Sequence, residues 1–301
     1  MNEIITIFTP TYNRGYILEN LYTSLIKQSV RCFKWLIVDD GSNDQTKQLV
    51  EKWINEDIIP IRYHYQKNSG KMAAHNAGVD LCDTELFLCV DSDDYLTVDA
   101  IKQLVTLWEN EKNDDIAGII SFRKTFKNGI QIHYPLINTK VKKTTLWDLY
   151  HKYFYQGETA LAYRTNILKK FPFPIITGEK FISEAYIYFQ IDDYYPMILL
   201  QNETVVCNYR NDGYSLNINK ILRKNPIGFS LFFNDLVKRE NSLRSKAGYS
   251  TLFIICSLLN QEHPLQILKK ANNKIISFLI YPYALFKFLK FKHDENYTIY
   301  R

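Results

Sequence analysis

The chain has no CxxC pair, no internal repeat, no low-complexity tract and no unbroken apolar run long enough to cross a bilayer with ease. Each absence excludes something. The five cysteines (Cys32, Cys82, Cys89, Cys207 and Cys256) are odd in number and scattered, which argues against a disulfide framework or a cysteine-held zinc and for a reducing compartment. The opening residues Met1-Asn2-Glu3-Ile4 carry no basic stretch and no long apolar core follows, so no secretory signal is expected and the cytoplasm is the expected compartment. No nucleic-acid-binding motif is recognisable, so nucleic acid is not expected among the partners. What remains is 301 residues at 46% hydrophobic composition, enough to bury one large domain, or a domain with an appendage.

Charge is distributed unevenly. Residues 1–115 carry 11 Lys+Arg against 19 Asp+Glu, a net of −8, while residues 220–301 carry 14 against 5, a net of +9. An acidic body with a basic tail implies that the two parts meet different surroundings.

Along the first 125 residues, short apolar runs alternate with helical patterns. Ile4 to Phe8, Phe33 to Val38, Ile61 to Tyr65, Leu86 to Val90 and Ile116 to Phe122 read as strands. Between them, helices are predicted with inner faces at Ile17, Leu18, Leu21, Tyr22, Leu25 and Ile26, at Leu49, Val50, Trp53 and Ile54, over Met72–Val79, and at Ile101, Leu104, Val105 and Trp108. Such alternation implies an α/β fold with crossover connections and a mainly parallel sheet, whose strand C-terminal ends share one edge where ligands bind. The polar segments 9–14, 39–42, 68–71 and 91–94 each follow a predicted strand, so that edge collects all four.

The chemistry of those segments is coherent. Asp91 and Asp93 are two apart at the end of an extended run, so both carboxylates can face one point, where they repel unless a cation lies between them. A hard divalent ion shared with nucleotide phosphates meets that need. The bland alternative is an acidic turn in which Asp94 or Thr97 caps the next helix. Asp39 and Asp40 beside Gly41 can accept from a nucleobase N–H or a ribose hydroxyl, and Thr9, Pro10 and Tyr12 can wall a stacked base. Gly70 permits close backbone approach and Lys71 adds a charge suited to a diphosphate. Arg14 reads equally as a phosphate contact or a solvated helix start, and His75 and Asn76 as ligand contacts or as a helix face packed beneath the site.

Taken together, Thr9-Pro-Thr-Tyr-Asn-Arg14, Val38-Asp-Asp-Gly-Ser-Asn-Asp44, Gly70-Lys-Met-Ala-Ala-His-Asn-Ala-Gly78 and Val90-Asp-Ser-Asp-Asp-Tyr-Leu96 resemble, in order and spacing, the signature blocks of family 2 glycosyltransferases. The resemblance implies a GT-A (Rossmann-like) sheet flanked by helices, a nucleotide-sugar donor (a UDP-sugar being usual for the family), Mn²⁺ or Mg²⁺ at the DxD, and inversion at the anomeric carbon. By motif position it puts Asp40, with Asp39, on the base, Lys71 on the diphosphate, Asp91 on the ribose and Asp93 on the metal. Ser92 joins the donor-binding set.

After Phe122 the parallel pattern fades. Ile130 to Tyr134 reads as an antiparallel edge strand after an Asn128-Gly129 turn, Thr145–Tyr153 as helix, and Gly157–Tyr163 as the acceptor-side strand of the family. An inverting transfer needs a carboxylate to take the acceptor's proton. Relatives often carry Glu-Asp at a helix start here; this chain has Ser183-Glu184-Ala185, so Glu184 is the candidate base and Glu179 the alternative. Asp192-Asp193 reads as a turn. In Arg210-Asn-Asp212-Gly213-Tyr214-Ser215, Arg210 or Asp212 either closes over the diphosphate or belongs to a simple tight turn. From Lys220 the composition turns to Lys, Leu, Ile and Phe, with helices predicted at 226–239, 247–259 and 264–292. The last is broken by Pro282, Lys287 and Lys290, so it is read as lying on a membrane surface, or as packed on the protein or in a homodimer, rather than spanning.

The expected organisation is a catalytic domain over 1–219 (1–125 binding the nucleotide-sugar, 126–219 on the acceptor side) and a helical C-terminal region over 220–301. The expected function is metal-dependent transfer of a hexose or N-acetylhexosamine to a hydroxyl of a cell-surface glycan or lipid-linked acceptor, at the inner face of the membrane. The alternative is a non-catalytic nucleotide-sugar- or glycan-binding protein, or a scaffold of a polysaccharide synthase.

Overall fold

The computed structural model describes residues 3–138, 140–209, 217–294 and 297–299. The apolar runs of the first half become strands β1 (Ile5–Thr11), β2 (Phe33–Asp39), β3 (Ile61–Tyr65) and β4 (Leu86–Cys89), separated by helices α1 (Gly15–Ile26), α2 (Thr46–Glu56) and α3 (Lys71–Leu81). Because every connection passes through a helix, the four strands lie parallel in the order β3-β2-β1-β4, with Ile5 opposite both Phe33 and Leu86. Their C-terminal ends therefore share one edge of the sheet.

The chain then runs through β5 (Tyr95–Leu96), α4 (Ala100–Glu111), β6 (Gly118–Lys127), β7 (Ile130–Ile132), β8 (Lys143–Thr144), α5 (Leu146–His151), β9 (Thr159–Arg164), α6 (Thr165–Leu168), α7 (Ala185–Asp192) and β10 (Met197–Tyr209). Here the sheet becomes mixed. β9 inserts antiparallel between β4 and β6, β10 lies parallel to β6, and β5 is antiparallel to β10. The expected edge strand is β7, paired antiparallel with β6 across Asn128 and Gly129, whose φ values of 52° and 77° are those of a type I′ turn.

Helix spacing explains the core. α1 buries Leu18, Leu21, Tyr22 and Leu25, and α4 buries Ile101, Leu104 and Trp108, against Ile5, Ile7, Trp35, Ile37, Leu86 and Leu88. Tyr22 stacks on Trp53 at 4.3 Å between ring centroids, and Trp53 meets Trp35 at 5.7 Å, which ties α1 and α2 to β2.

One difference from expectation bears on the site. β1 runs on through Thr9 and Pro10 to Thr11 instead of ending at Phe8. Proline survives inside this central strand for a geometric reason. Phe8 accepts from Val90 N–H on the β4 side, whereas Thr11 accepts from Asp40 N–H on the β2 side. Alternate residues face opposite neighbours, so Pro10 faces the β4 side beyond that strand's last pairing, where no ladder donor is needed.

The chain divides into two compact units, Met1–Phe173 with Ile187–Arg210, and Pro174–Tyr186 with Asn211–Arg301. Residues 174–186 thus group with the C-terminal helices, where a single boundary near 220 was expected. The second unit contains α8 (Ile218–Lys224), α9 (Pro226–Arg239), α10 (Leu243–Leu259), α11 (Pro264–Lys270) and α12 (Lys274–His293). The helix expected over 264–292 is two helices. Asn273 caps α12 by accepting from Ile276 N–H, while Asn272 pairs with both the backbone and the side chain of Asn234 on α9. In the same unit, Asn225 accepts from the N–H groups of Lys180 and Phe181, which fastens the 174–186 segment to the start of α9.

Candidate functional site

Three of the four polar loops at the β1–β4 edge are stapled to one another by short hydrogen bonds. Asn13, at φ 53°, donates its N–H to Ser42 Oγ at 2.8 Å and accepts from Asn43 N–H at 2.8 Å. Gly15 donates to Asp44, which also holds Thr46 at the head of α2. Asp40 reaches across to the third loop, accepting from Gln66 Nε2, Ser69 N–H and Gly70 N–H, each at 2.8 Å. Asp39 accepts from Ser42 N–H at 2.8 Å and from the Tyr63 hydroxyl at 2.6 Å. Gly41 (φ 88°) passes Asn68 so closely that a Cβ would sit 2.8 Å from its backbone nitrogen, and only glycine combines that φ with that approach.

The fourth loop joins through a charge pair. Lys71, the first residue of α3, places Nζ 2.6 Å from Asp91 Oδ1. Burial alone would raise the Asp91 pKa, but Lys71, Arg123 and Arg14 outweigh it and hold the carboxyl below its usual range. Asp94, deeper in the same turn, shows the opposite. Burial, together with Asp91, Asp93 and Glu158, pushes it up to about 7 against the pull of Arg123. Asp93 is half-buried, and no hydrogen bond or ion pair among the described residues engages its carboxylate. A hard oxygen donor left uncommitted, Asp93 fits an oxygen-ligated divalent cation better than a thiolate- or imidazole-preferring metal.

The structure therefore brings Thr9, Pro10, Tyr12, Arg14, Asp39, Asp40, Lys71, Asp91, Ser92 and Asp93 to one edge, with different degrees of access. Tyr12 is exposed and Arg14 half-buried, its guanidinium donating to the Tyr16 hydroxyl. Thr9 is buried and its hydroxyl accepts from Trp35 Nε1, so it supports the edge from below. Asp39, Asp40 and Ser92 are buried as well, and the two aspartates act first as the clasps of the loops.

His75 and Asn76 lie under the edge. His75 is 2% exposed, meets Phe8, Phe87 and Phe173 edge-on, and has neither ring nitrogen hydrogen-bonded. Burial chiefly, with Lys71 adding to it, lowers its pKa to about 3. Asn76 ties α3 to the chain at Phe173 through both its N–H and C=O. Both are packing residues.

Sequence reasoning missed Arg123 on β6. Its guanidinium pairs with Asp94 and donates through Nε to Thr159 O at 2.9 Å, while its backbone N–H donates to Glu158 O. Burial opposes its charge, and Asp94, Asp91 and Glu158 more than offset that. Glu158 in turn accepts from the Tyr209 hydroxyl at 2.5 Å. The available signal was a lone arginine directly after the apolar run Ile116–Phe122.

Glu184 belongs to the 174–186 segment, half-buried, one residue before α7. Glu179, the alternative base, accepts from Ile227 N–H at 2.7 Å and Gly228 N–H at 2.8 Å, so each oxygen caps the first turn of α9. Asp192 accepts from Trp147 N–H at the start of α5. The turn with Arg210, Asp212 and Gly213 lies outside the described residues.

The family model "Glycosyl transferase family 2" matches residues 6–171. Among curated proteins, poly(ribitol-phosphate) beta-N-acetylglucosaminyltransferase TarS of Staphylococcus aureus is 27% identical over 166 residues, which is 54% of this chain and 28% of TarS. Glycosyltransferase GlyG of Streptococcus pneumoniae is 27% identical over 118 residues, 39% of each chain. The matched stretch is thus well under two thirds of either relative's length. Among solved structures, S. aureus TarS with UDP-GlcNAc aligns with 96% of this chain and 89% of that one at 19% identity and TM-score 0.60. The Pyrobaculum calidifontis mannosyltransferase PcManGT, with GDP-Man and Mn²⁺, aligns with 97% and 83% at 16% identity and TM-score 0.55. At these identities the structural likeness establishes the GT-A fold.

Proposed function

Because the chain belongs to glycosyl transferase family 2, we propose that it transfers a hexose or N-acetylhexosamine, with inversion, from a nucleotide-sugar to a hydroxyl of a cell-surface glycan or lipid-linked acceptor. The observation that carries this reading is the Lys71–Asp91 pair, which closes four strand-end loops into one polar edge beside an uncommitted Asp93. TarS, a UDP-GlcNAc-bound neighbour of the same fold, makes a UDP-sugar the first donor to try.

In this reading Tyr12 offers an exposed ring face to the base, with Thr9 and Pro10 behind it, and Asp39 and Asp40 hold the loops around it while offering their remaining lone pairs. Asp91 exchanges Lys71 for the ribose, with Ser92 beside it, which frees the Lys71 ammonium for the diphosphate; Arg14 adds charge at the same rim. Asp93 would ligate Mn²⁺ or Mg²⁺, which when bound neutralises charge on the leaving nucleoside diphosphate. Glu184 takes the proton of the attacking hydroxyl, a role supported by the engagement of both Glu179 oxygens on α9. A basic second unit suits an acceptor met at the inner face of a membrane.

The test is transfer from labelled nucleotide-sugar by wild type and Glu184→Gln. Donor binding is expected to be unchanged, and transfer to fall ~10²–10⁴-fold, as when general-base help is removed. Near-normal transfer in Glu184→Gln moves the role elsewhere.

A further inference from the structure

From Ile275 to Phe286, helix α12 carries no charge on any side, yet only one side of it is covered. Ser277, Ala284 and Phe291, spaced by seven, are buried, and Arg223 lies 3.6 Å over the Phe291 ring. At 100° per residue, Ile275, Phe278, Leu279, Pro282, Leu285, Phe286 and Leu289 fall on the opposite side within an arc of about 120°. All are exposed, from 38% at Leu285 to 75% at Ile275. An exposed stripe of this size is not a normal feature of a solvated helix.

Charge identifies what covers it. Residues 264–293 contain six lysines (Lys269, Lys270, Lys274, Lys287, Lys290 and Lys292) and no Asp or Glu. Lys290 places its ammonium 4.5 Å from the centroid of Phe286, and Lys287 lies 5.2 Å from that of Tyr283, so cations rim the apolar stripe. A second copy would fit poorly. A two-fold contact sets the same patch against itself, and here it would bring lysine to lysine with no carboxylate on the segment to separate them. Depth is limited too. No described helix is long and apolar enough to cross a membrane, and Pro282 removes the N–H that would bond the Phe278 carbonyl, a group that needs the hydrated headgroup layer.

We propose that the Ile275–Leu289 face of α12 seats on an anionic lipid surface, with its apolar side chains at the acyl boundary and Lys287 and Lys290 among the headgroups. This deepens the proposed function by naming the surface at which the acceptor is met, and rests on it only for purpose. Binding is therefore measured without donor. The full chain is co-sedimented with vesicles of phosphatidylcholine alone or with about one third phosphatidylglycerol. Wild type is expected to bind the anionic vesicles at least about tenfold more tightly than the neutral ones, and less tightly as salt rises. Phe278→Ser/Leu279→Ser/Phe286→Ser, whose altered side chains are all exposed, is expected to lose at least about tenfold. Lys287→Gln/Lys290→Gln is expected to lose a similar amount, restricted to anionic vesicles. Donor affinity, read by calorimetry on the same variants, stays at the wild-type value, so failure here leaves the transferase reading standing. Equal binding to both vesicle types, no binding to either, or a vesicle-free dimer that the serine variant dissociates overturns the proposal, the last by giving the face to a second copy.

Discussion

At the residue scale, the candidate site is held by buried charges and one buried imidazole, and each gives a measurable consequence. The Arg123–Asp94 pair is nearly sealed, with side chains 16% and 7% exposed. Removing one partner leaves the other buried, so Arg123→Met is expected to cost about 3 kcal/mol or more in denaturant unfolding. Adding Asp94→Asn to that variant is expected to recover part of the loss, and strictly additive losses would contradict the coupling. His75 supplies a pH dependence. In the unfolded chain it titrates near its ordinary value of 6.5, and in the fold only near 3. Between those values the unfolded state holds more protons, so stability falls as pH falls through that window. From pH 7 to pH 5 this single group accounts for roughly 2 kcal/mol. His75→Phe, matched in shape to its aromatic cage, is therefore expected to lose less stability over that interval, as read from urea midpoints at both pH values. Equal losses would mean that His75 does not stay neutral in the fold.

At the scale of elements, periodicity made most of the first 125 residues legible. Every strand and helix expected there is present, because each apolar run or stripe has a sheet or helix to bury it against. The end of β1 was harder to read, since Pro10 signals a break unless the position of β4 beyond it is known. The split of 264–292 depends on Asn234, some forty residues away, which accepts from Asn272 at both its side-chain and its backbone oxygen. Loop chemistry was legible in kind but not in detail. Asp39 and Asp40 lie at the shared strand-end edge, and their partners within the chain are Ser42, Tyr63, Gln66, Ser69 and Gly70. Such long-range clasps leave no periodic trace. Arg123 was overlooked for the same reason: its partner Asp94 is 29 positions earlier. Glu179 illustrates an element-level role. As the cap of α9, Glu179→Gln is expected to cost about 1 kcal/mol while leaving transfer per folded molecule unchanged. A large loss of transfer with stability intact would make Glu179 the base instead of Glu184.

At the scale of the whole molecule, the chain combines an α/β unit whose acidic residues concentrate in 1–115 with a basic helical unit, and the family block over 6–171 covers most of the former. The sheet order β3-β2-β1-β4 converts sequence distance into proximity, so that loops near residues 12, 41, 69 and 92 meet. This edge is expected to grip a nucleotide-sugar together with a divalent ion. The most direct measurement is calorimetric binding of a panel of UDP- and GDP-sugars to wild type and Asp93→Ala, each with Mn²⁺ and with EDTA. One donor is expected to bind wild type in Mn²⁺ and to weaken sharply in EDTA, while Asp93→Ala binds weakly and alike in both. Donor binding indifferent to EDTA in wild type, or still metal-sensitive in Asp93→Ala, would contradict the account.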